Sequence, residues 1–282
     1  MYFILKTVYD IEFTDRLTFT HLISDNHIFI DIHQNLNVAE LMKLLKNGIP
    51  IAQRMDTIEE KIAVNIFKNT KHAFEVVHDR SGLHKVINIR SVLHTALHSG
   101  VTKESLTSYI DHFDSPDIVW IDNSDHAMLD FFHAEGITNI QRITVQDLNA
   151  EPVCDAGKII LLDDQFANEI SFQRNHIYVL YSLDKLQAGP ILIPEVSACV
   201  DCYLKIRTEP DAASAHYWPA YYRTFIYNLL VNTIYYLKND LFKGLYNDVG
   251  LPIKKYFTLA HPHLHMEVTN VYKDMTCGTC MK

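Results

Sequence analysis

Four of the five cysteines fall into two Cys-x-x-Cys pairs, Cys199-Val-Asp-Cys202 and Cys277-Gly-Thr-Cys280. Two thiols at this spacing can occupy two corners of one tetrahedron, and two such pairs complete a closed four-sulfur zinc site. A closed site leaves no position for water, so the metal would staple the fold and do no chemistry. The competing readings are two redox dithiols or unrelated thiols. Zinc accounts for both pairs at once, and it requires a fold that brings two distant segments of the chain together. The segment bearing Cys277 and Cys280 is therefore expected to be tied back to the body beside Cys199.

Composition narrows the class. The chain has 282 residues, room for one large domain or two smaller ones. With 48% hydrophobic and 21% charged residues it reads as globular. The formal net charge of −9 argues against general affinity for nucleic acid or an anionic membrane. Apolar runs such as 158–162 and 191–193 are too short to span a bilayer, and residues 1–7 lack the pattern of a signal peptide. A cytoplasmic setting is expected, where Cys-x-x-Cys thiols stay reduced and free to hold metal. Among the 16 histidines, His261, His263 and His265 would share one face of a strand. They are read as surface or half-buried residues, since no carboxylate partner or helical spacing supports a second metal site.

The pattern of residues 1–80 predicts strands over 2–8, 17–23 and 27–32, with a turn at Ser24-Asp25-Asn26. Asn37 is expected to cap a helix over 38–46 that stops at Gly48-Ile49-Pro50. Asp56 with Glu59 resembles a capping box for a helix over 57–69, with Ile58, Ile62, Ala63, Ile66 and Phe67 as its apolar face. This is the layout of a small winged-helix-like α+β module. Residues 81–115 read as a connecting segment, with a short strand at 85–89 and a helix capped by Thr102. From 116 to 282 strands and helices alternate: strands at 117–121, 139–145, 157–162 and 176–181, and a helix at 127–134 stopped by Gly136. A long apolar helix follows Pro219, with Tyr222, Phe225, Ile226, Leu229, Leu230, Thr233, Tyr236 and Leu237 read as packing residues. Such alternation predicts an α/β layer containing parallel strands. Asp155-Ala-Gly157 and Asp163-Asp164 read as turn material.

The segment from Gly189-Pro190 through the apolar run to Cys199-Val-Asp-Cys202 and on to Arg207 resembles the first zinc pair of ThiF-like cyclodehydratase components in thiazole/oxazole-modified microcin pathways. Trp218-Pro219 and the second Cys-x-x-Cys fit the same pattern. The resemblance covers 116–282 in layout and is specific over 189–219 and 277–280. It implies an α/β, ThiF-like Rossmann-type scaffold with structural zinc on Cys199, Cys202, Cys277 and Cys280. It also implies that the winged-helix-like module binds a leader peptide by adding it to an exposed sheet edge. The strand at 27–32 and the helix at 57–69 are the candidate edge and groove wall, with Phe29, Ile30, Ile58 and Ile62 as candidate peptide-binding residues.

Adenylating relatives place a glycine-rich turn after the first strand, where backbone amides approach nucleotide phosphates. Here Ile118-Val-Trp-Ile121 runs into Asp122-Asn-Ser-Asp-His126, with no glycine and two carboxylates. Like charges so close to a phosphate cost on the order of a kcal/mol or more. The fold signal persists, including Gly136-Ile137, while the nucleotide signal does not, so the domain reads as degenerate and ATP is not expected on this chain. Cys154, the one cysteine outside the pairs, has no neighbouring cation and reads as an idle thiol, not a nucleophile. The chain is thus expected to be a non-catalytic subunit that binds a ribosomal precursor peptide and presents it to a YcaO-type cyclodehydratase for azoline formation. A homodimer is left open. The alternatives are an autonomous adenylating enzyme and a structural, partner-binding subunit.

Overall fold

Two units divide the chain in the computed structural model: residues 1–112 with 131–137, and residues 113–130 with 138–282. The structure describes all residues except 33–35, 52–54, 116, 122–124, 151–156, 172, 174, 194–195, 208–219, 244, 246–250, 261–264 and 280–282. Among the described residues, no helix is long and apolar enough to cross a membrane.

The first unit holds β1 (Tyr2–Leu5), β2 (Tyr9–Phe13), β3 (Leu17–His21), β4 (His27–Ile30), α1 (Val38–Asn47), β5 (Ile49–Pro50), α2 (Ile58–Asn69), β6 (Phe74–Val77), α3 (Arg80–His98) and α4 (Lys103–Asp111). The strand predicted over 2–8 ends early. Tyr9 N–H donates to Lys6 O at 3.0 Å, and this turn starts β2. The strands form two antiparallel sheets, ordered β5-β1-β6 and β2-β3-β4. At the β3–β4 turn Asp25 sits at φ 56°, which Asp tolerates better than most residues. Alternation sends Ile11, Leu17 and Phe19 inward, where they pack with Leu41 and Leu45 of α1 and Ala63 and Ile66 of α2.

Helix boundaries follow local chemistry. Asn37 accepts from Glu40 N–H and caps α1. The capping box of α2 lies one residue beyond the predicted one: Thr57 accepts from Glu60 N–H, and the Glu60 carboxylate accepts from the N–H groups of Asp56 and Thr57. The predicted strand at 85–89 is corrected to the middle of α3. Leu83, Val86, Ile89, Arg90, Leu93 and Ala96 recur at helical spacing and are buried, and that longer period overrides a few β-branched residues. Arg90 is the polar member of this face. Its guanidinium donates to Leu5 O at 3.1 Å and to Lys46 O, joining α3 to β1 and α1. Burial pushes its pKa down to about 10.

The second unit holds β7 (Ile118–Ile121), β8 (Ile140–Ile143), α6 (Val145–Ala150), β9 (Ile159–Asp163), β10 (Ile177–Ser182), β11 (Gln187–Leu192), α7 (Val200–Ile206), α8 (Ala220–Leu237), β12 (Lys255–Ala260) and β13 (His265–Asn270); α5 (His126–Ala134) starts here and ends in the first unit. The strands make one seven-stranded mixed sheet, ordered β13-β12-β11-β10-β9-β7-β8. Strands β8, β7, β9 and β10 are mutually parallel, while β11, β12 and β13 continue antiparallel. The arrangement is consistent with a Rossmann-like α/β fold. β9 and β10 are buried along their whole length, as strands of a covered parallel sheet must be. On α8, Ile226, Leu230, Thr233 and Leu237 are buried as the spacing predicts, but Phe225 is exposed. The helix leads into Lys238, which is fully buried and donates to Ser115 O at 2.6 Å and to the Asp117 carboxylate.

Gly136 closes α5 in the left-handed region, at φ 85°. A Cβ there would stand 2.5 Å from Lys85 Cβ and 2.9 Å from Lys85 Cα, so both conformation and space require glycine. Gly136→Ala is expected to lower unfolding stability by about 1–3 kcal/mol, read as a reduced urea midpoint at unchanged m-value.

Candidate metal centre

Cys199 is the residue just before α7, with φ −87° and ψ 174°, and Cys202 lies in the first turn of that helix. Extended geometry at one position and helical geometry three residues on turn both sulfurs to the same side. Cys277 arrives from the segment after β13. The Sγ atoms of Cys199 and Cys202 are 3.8 Å apart, and those of Cys199 and Cys277 are 3.5 Å apart. All three lie within 4.8 Å of one another. Zn–S bonds of about 2.3 Å in a tetrahedron imply sulfur–sulfur edges of about 3.8 Å, so the three buried thiols fit a single metal ion. Cys280, the fourth member of the predicted set, lies outside the described residues.

A surrounding layer orients these sulfurs. The Asp274 backbone N–H donates to Cys202 Sγ at 3.2 Å, a contact that would steady a metal-bound thiolate. Asp274 is fixed in turn by Lys205 of α7, and its carboxylate accepts from Thr276 N–H and Oγ1, each at 2.7 Å. The hydrogen bond from Lys205, followed by those from Thr276, holds this carboxyl well below the usual carboxylate range. Thr279 Oγ1 donates to Asp201. The segment bearing Cys277 is thus tied to α7 by polar contacts as well as by the thiols, as the spacing of the pairs leads one to expect. An all-sulfur set in an apolar cluster suits zinc. When bound, the metal would replace S–H contacts among the thiols with metal–thiolate bonds.

A second polar assembly stands at the carboxyl end of β9, and it was not foreseen as a site. Asp163-Asp164 reads as turn material in sequence, yet Asp164 is buried and surrounded by partners. Tyr203 OH donates to Asp164 Oδ1 at 2.8 Å, Lys185 Nζ lies 2.8 Å from Oδ2, and Arg207 Nη1 donates to the Asp164 carbonyl at 2.9 Å. Gln187 Nε2 donates to Tyr203 OH and Gly189 O, both at 2.9 Å. Burial, followed by the Asp164 charge, pushes the Tyr203 hydroxyl far above the ordinary tyrosine range and keeps it a neutral donor. Adjacent carboxylates ending an apolar strand were the one available hint, because a buried strand end leaves them no solvent.

Near the end of β7, Trp120 Nε1 donates to Tyr181 OH at 2.8 Å, and both side chains are fully buried. Asp125, at the start of α5, accepts from Met128 N–H at 3.3 Å and from Tyr227 OH of α8 at 2.8 Å. Asp122, Asn123 and Ser124 lie outside the described residues. So do Cys154, Trp218, Pro219, His261 and His263, while the backbone of His265 opens β13.

The candidate peptide-binding residues separate by strand alternation. Phe29 is exposed, with the Arg16 guanidinium 3.9 Å from its ring centroid and His27 stacked beside it. Ile30 points to the other face of β4 and packs with Ile62 against the core of the first unit. Ile58, in the first turn of α2, is exposed.

No family model and no curated protein matches the chain. Among solved structures, it is similar to a heterocyclase in complex with substrate and cofactor (13% identity, TM-score 0.46, covering 99% of this chain and 39% of that one). It is also similar to the heterocyclase TruD (12%, 0.42, covering 99% and 42%). A third likeness is to E. coli MccB with selenomethionine MccA (11%, 0.47, covering 99% and 100%). The chain therefore spans about two fifths of the length of the two heterocyclases. TM-scores below 0.5 at such identities assign no chemistry to this chain.

Two outcomes are expected from this geometry. Protein purified without chelator carries about one zinc per chain by elemental analysis, and Cys277→Ser loses the metal with a large fall in thermal midpoint, since structural zinc contributes roughly 10–16 kcal/mol of apparent binding energy in small peptides. Asp164→Asn leaves Lys185 and Arg207 beside a neutral group and lowers stability by about 3–5 kcal/mol, read by denaturant unfolding.

Proposed function

We propose that this chain is a non-adenylating scaffold subunit in the biosynthesis of azoline-containing ribosomal peptides. Residues 1–80, read as a winged-helix-like module, bind the leader of a precursor peptide. The second unit, a degenerate ThiF-like domain, is stapled by zinc on Cys199, Cys202, Cys277 and Cys280. A YcaO-type partner supplies the ATP-dependent cyclodehydration of Cys, Ser or Thr residues, in a cytoplasmic setting. The chain itself contributes binding and positioning.

The observation that carries this reading is the edge at β4, which has no strand beside it among the described residues. It is an outer strand of a three-stranded sheet whose inner face is core, and it exposes Phe29. A leader adding there as a fourth strand gains backbone hydrogen bonds worth only about 0.5–1.5 kcal/mol each net of water. Discrimination then falls to side chains, with Phe29 reading one face of the added strand while the exposed Ile58 of α2 offers apolar surface. The resemblance of residues 189–219 to ThiF-like components supports the pathway assignment.

Asp125 stands against ATP binding at this turn. A carboxylate at the start of α5 takes up the helix dipole and an N–H that a phosphate would otherwise use. Tyr227 holds it there at 2.8 Å.

A labelled synthetic leader of the cognate precursor peptide is expected to bind the full chain, and Phe29→Ala to weaken binding about tenfold with unchanged circular dichroism. Calorimetry with ATP and magnesium is expected to show no micromolar binding. Micromolar ATP affinity abolished by changes at Asp122 or Asp125 would establish the adenylating enzyme instead. No leader binding at all would leave a structural subunit.

A further inference from the structure

The segment that delivers Cys277 to the thiol cluster has almost no packing of its own. Val271 is buried, and its N–H donates to Lys254 O at 2.7 Å. The next buried residue is Cys277 itself. Between them Tyr272, Lys273, Met275 and Thr276 are exposed, Met275 to 78%, and Asp274 is half-buried. Apolar burial therefore does not fix this turn. Its ties are polar. The Asp274 carbonyl accepts from Cys277 N–H at 3.0 Å, the Asp274 carboxylate accepts from Thr276, and the Asp274 N–H goes to Cys202 Sγ.

Helix α7 grips the turn at two points. Asp201 and Lys205 are one helical turn apart and so are neighbours on one face of α7. Lys205 Nζ donates to the Asp274 carboxylate, before Cys277 in the chain, and Thr279 Oγ1 donates to Asp201, after it. Cys277 is thus bracketed, and both brackets stand on the helix that carries Cys202.

We propose that Asp201, Lys205 and Asp274 are positioning residues, a clamp that holds Cys277 on the metal and sets how fast the centre gives the metal up. The proposal rests on the zinc reading of these thiols. Cys199 and Cys202 belong to α7 and the residue before it, whose neighbours Val200 and Tyr203 are locked in the core. They leave the ion only if the helix moves. Cys277 lies on a turn with exposed neighbours and can leave with that turn. Release therefore starts at Cys277: its thiolate departs and a ligand atom of the receiving chelator takes the position, an exchange in which no electron is transferred. An exposed ion pair alone contributes little. The pair of Lys205 and Asp274 has more leverage, because the same Asp274 also orders Thr276 and bonds Cys202 Sγ. Changes to groups one layer outside a metal alter its retention by about 10–100-fold.

Transfer of zinc from the full, zinc-loaded chain to a chromophoric chelator, followed below the thermal midpoint, tests the proposal. Asp274→Ala removes every side-chain tie of the turn and is expected to speed release about 10–100-fold. Lys205→Met and Asp274→Asn each delete the same cation–carboxylate contact. Each is expected to speed release several-fold, and the double variant no further. Lys205→Arg is expected to keep the parent rate. Thr279→Val opens the other bracket and is expected to multiply the effect of Lys205→Met. In the cobalt-loaded chain the sulfur-to-cobalt bands of Asp274→Ala are expected to weaken, as Cys277 spends time off the ion. The altered side chains are exposed or half-buried, so circular dichroism should match the parent. Parent-rate release in both Lys205→Met and Asp274→Ala overturns the proposal and leaves the zinc reading standing. Faster release with a lowered thermal midpoint and unchanged cobalt bands also overturns it, since that marks a general loss of stability. A parent chain that takes up neither zinc nor cobalt overturns the zinc reading and the clamp together.

Discussion

One buried carboxylate organises the second unit. Asp164 stands at the carboxyl end of β9 with its side chain out of water, and a charge so placed persists only with several good partners. It draws them from three directions: Lys185 from the connection between β10 and β11, Tyr203 from α7, and Arg207 from just beyond α7. Tyr203 therefore fixes the roll of α7 against the sheet. That roll sets where Cys199 and Cys202 point, and they in turn define where Cys277 must arrive. The thiol cluster and the sheet are thus one connected structure, with the polar network acting from the sheet side and the thiols from the other.

This arrangement explains what the sequence discloses and what it hides. The clustering of Cys199, Cys202 and Cys277 was legible because the spacing of thiols is a local property of the chain. The Asn37 and Thr102 caps were legible for the same reason. The capping box of α2 was misplaced by one residue, since Asp56 with Glu59 and Thr57 with Glu60 fit the same spacing and only the observed hydrogen bonds separate them. The strand expected at 85–89 failed because a window of five residues cannot reveal the longer helical repeat from Leu83 to Ala96. Asp164 looks like turn material in sequence because its partners lie 21 to 43 residues away, and no local pattern encodes them.

The candidate peptide-binding residues show a different limit. Phe29 and Ile30 are adjacent in sequence, and adjacency in a strand means opposite faces. Arg16 over the Phe29 ring makes the outward face an aromatic surface with a cation on top, whereas Ile30 and Ile62 contribute to the core. The period of the strand was readable in advance, but the direction of the core was not, because it depends on where α1 and α2 pack.

Synthesis of the chain gives the cysteine arrangement a temporal meaning. The thiols of Cys199 and Cys202 leave the ribosome well before Cys277, by roughly 4–15 s at 5–20 residues per second. During that interval α7 has two of its sulfurs but not the segment that covers them. The nascent protein passes through a stage with a half-built, reactive thiol pair on an unfinished apolar surface. Its quality in the cell is then governed by how quickly the late segment reaches that pair; under the proposed zinc staple, a shortage of metal would be felt first as misassembly of newly made chains, before any loss from those already folded.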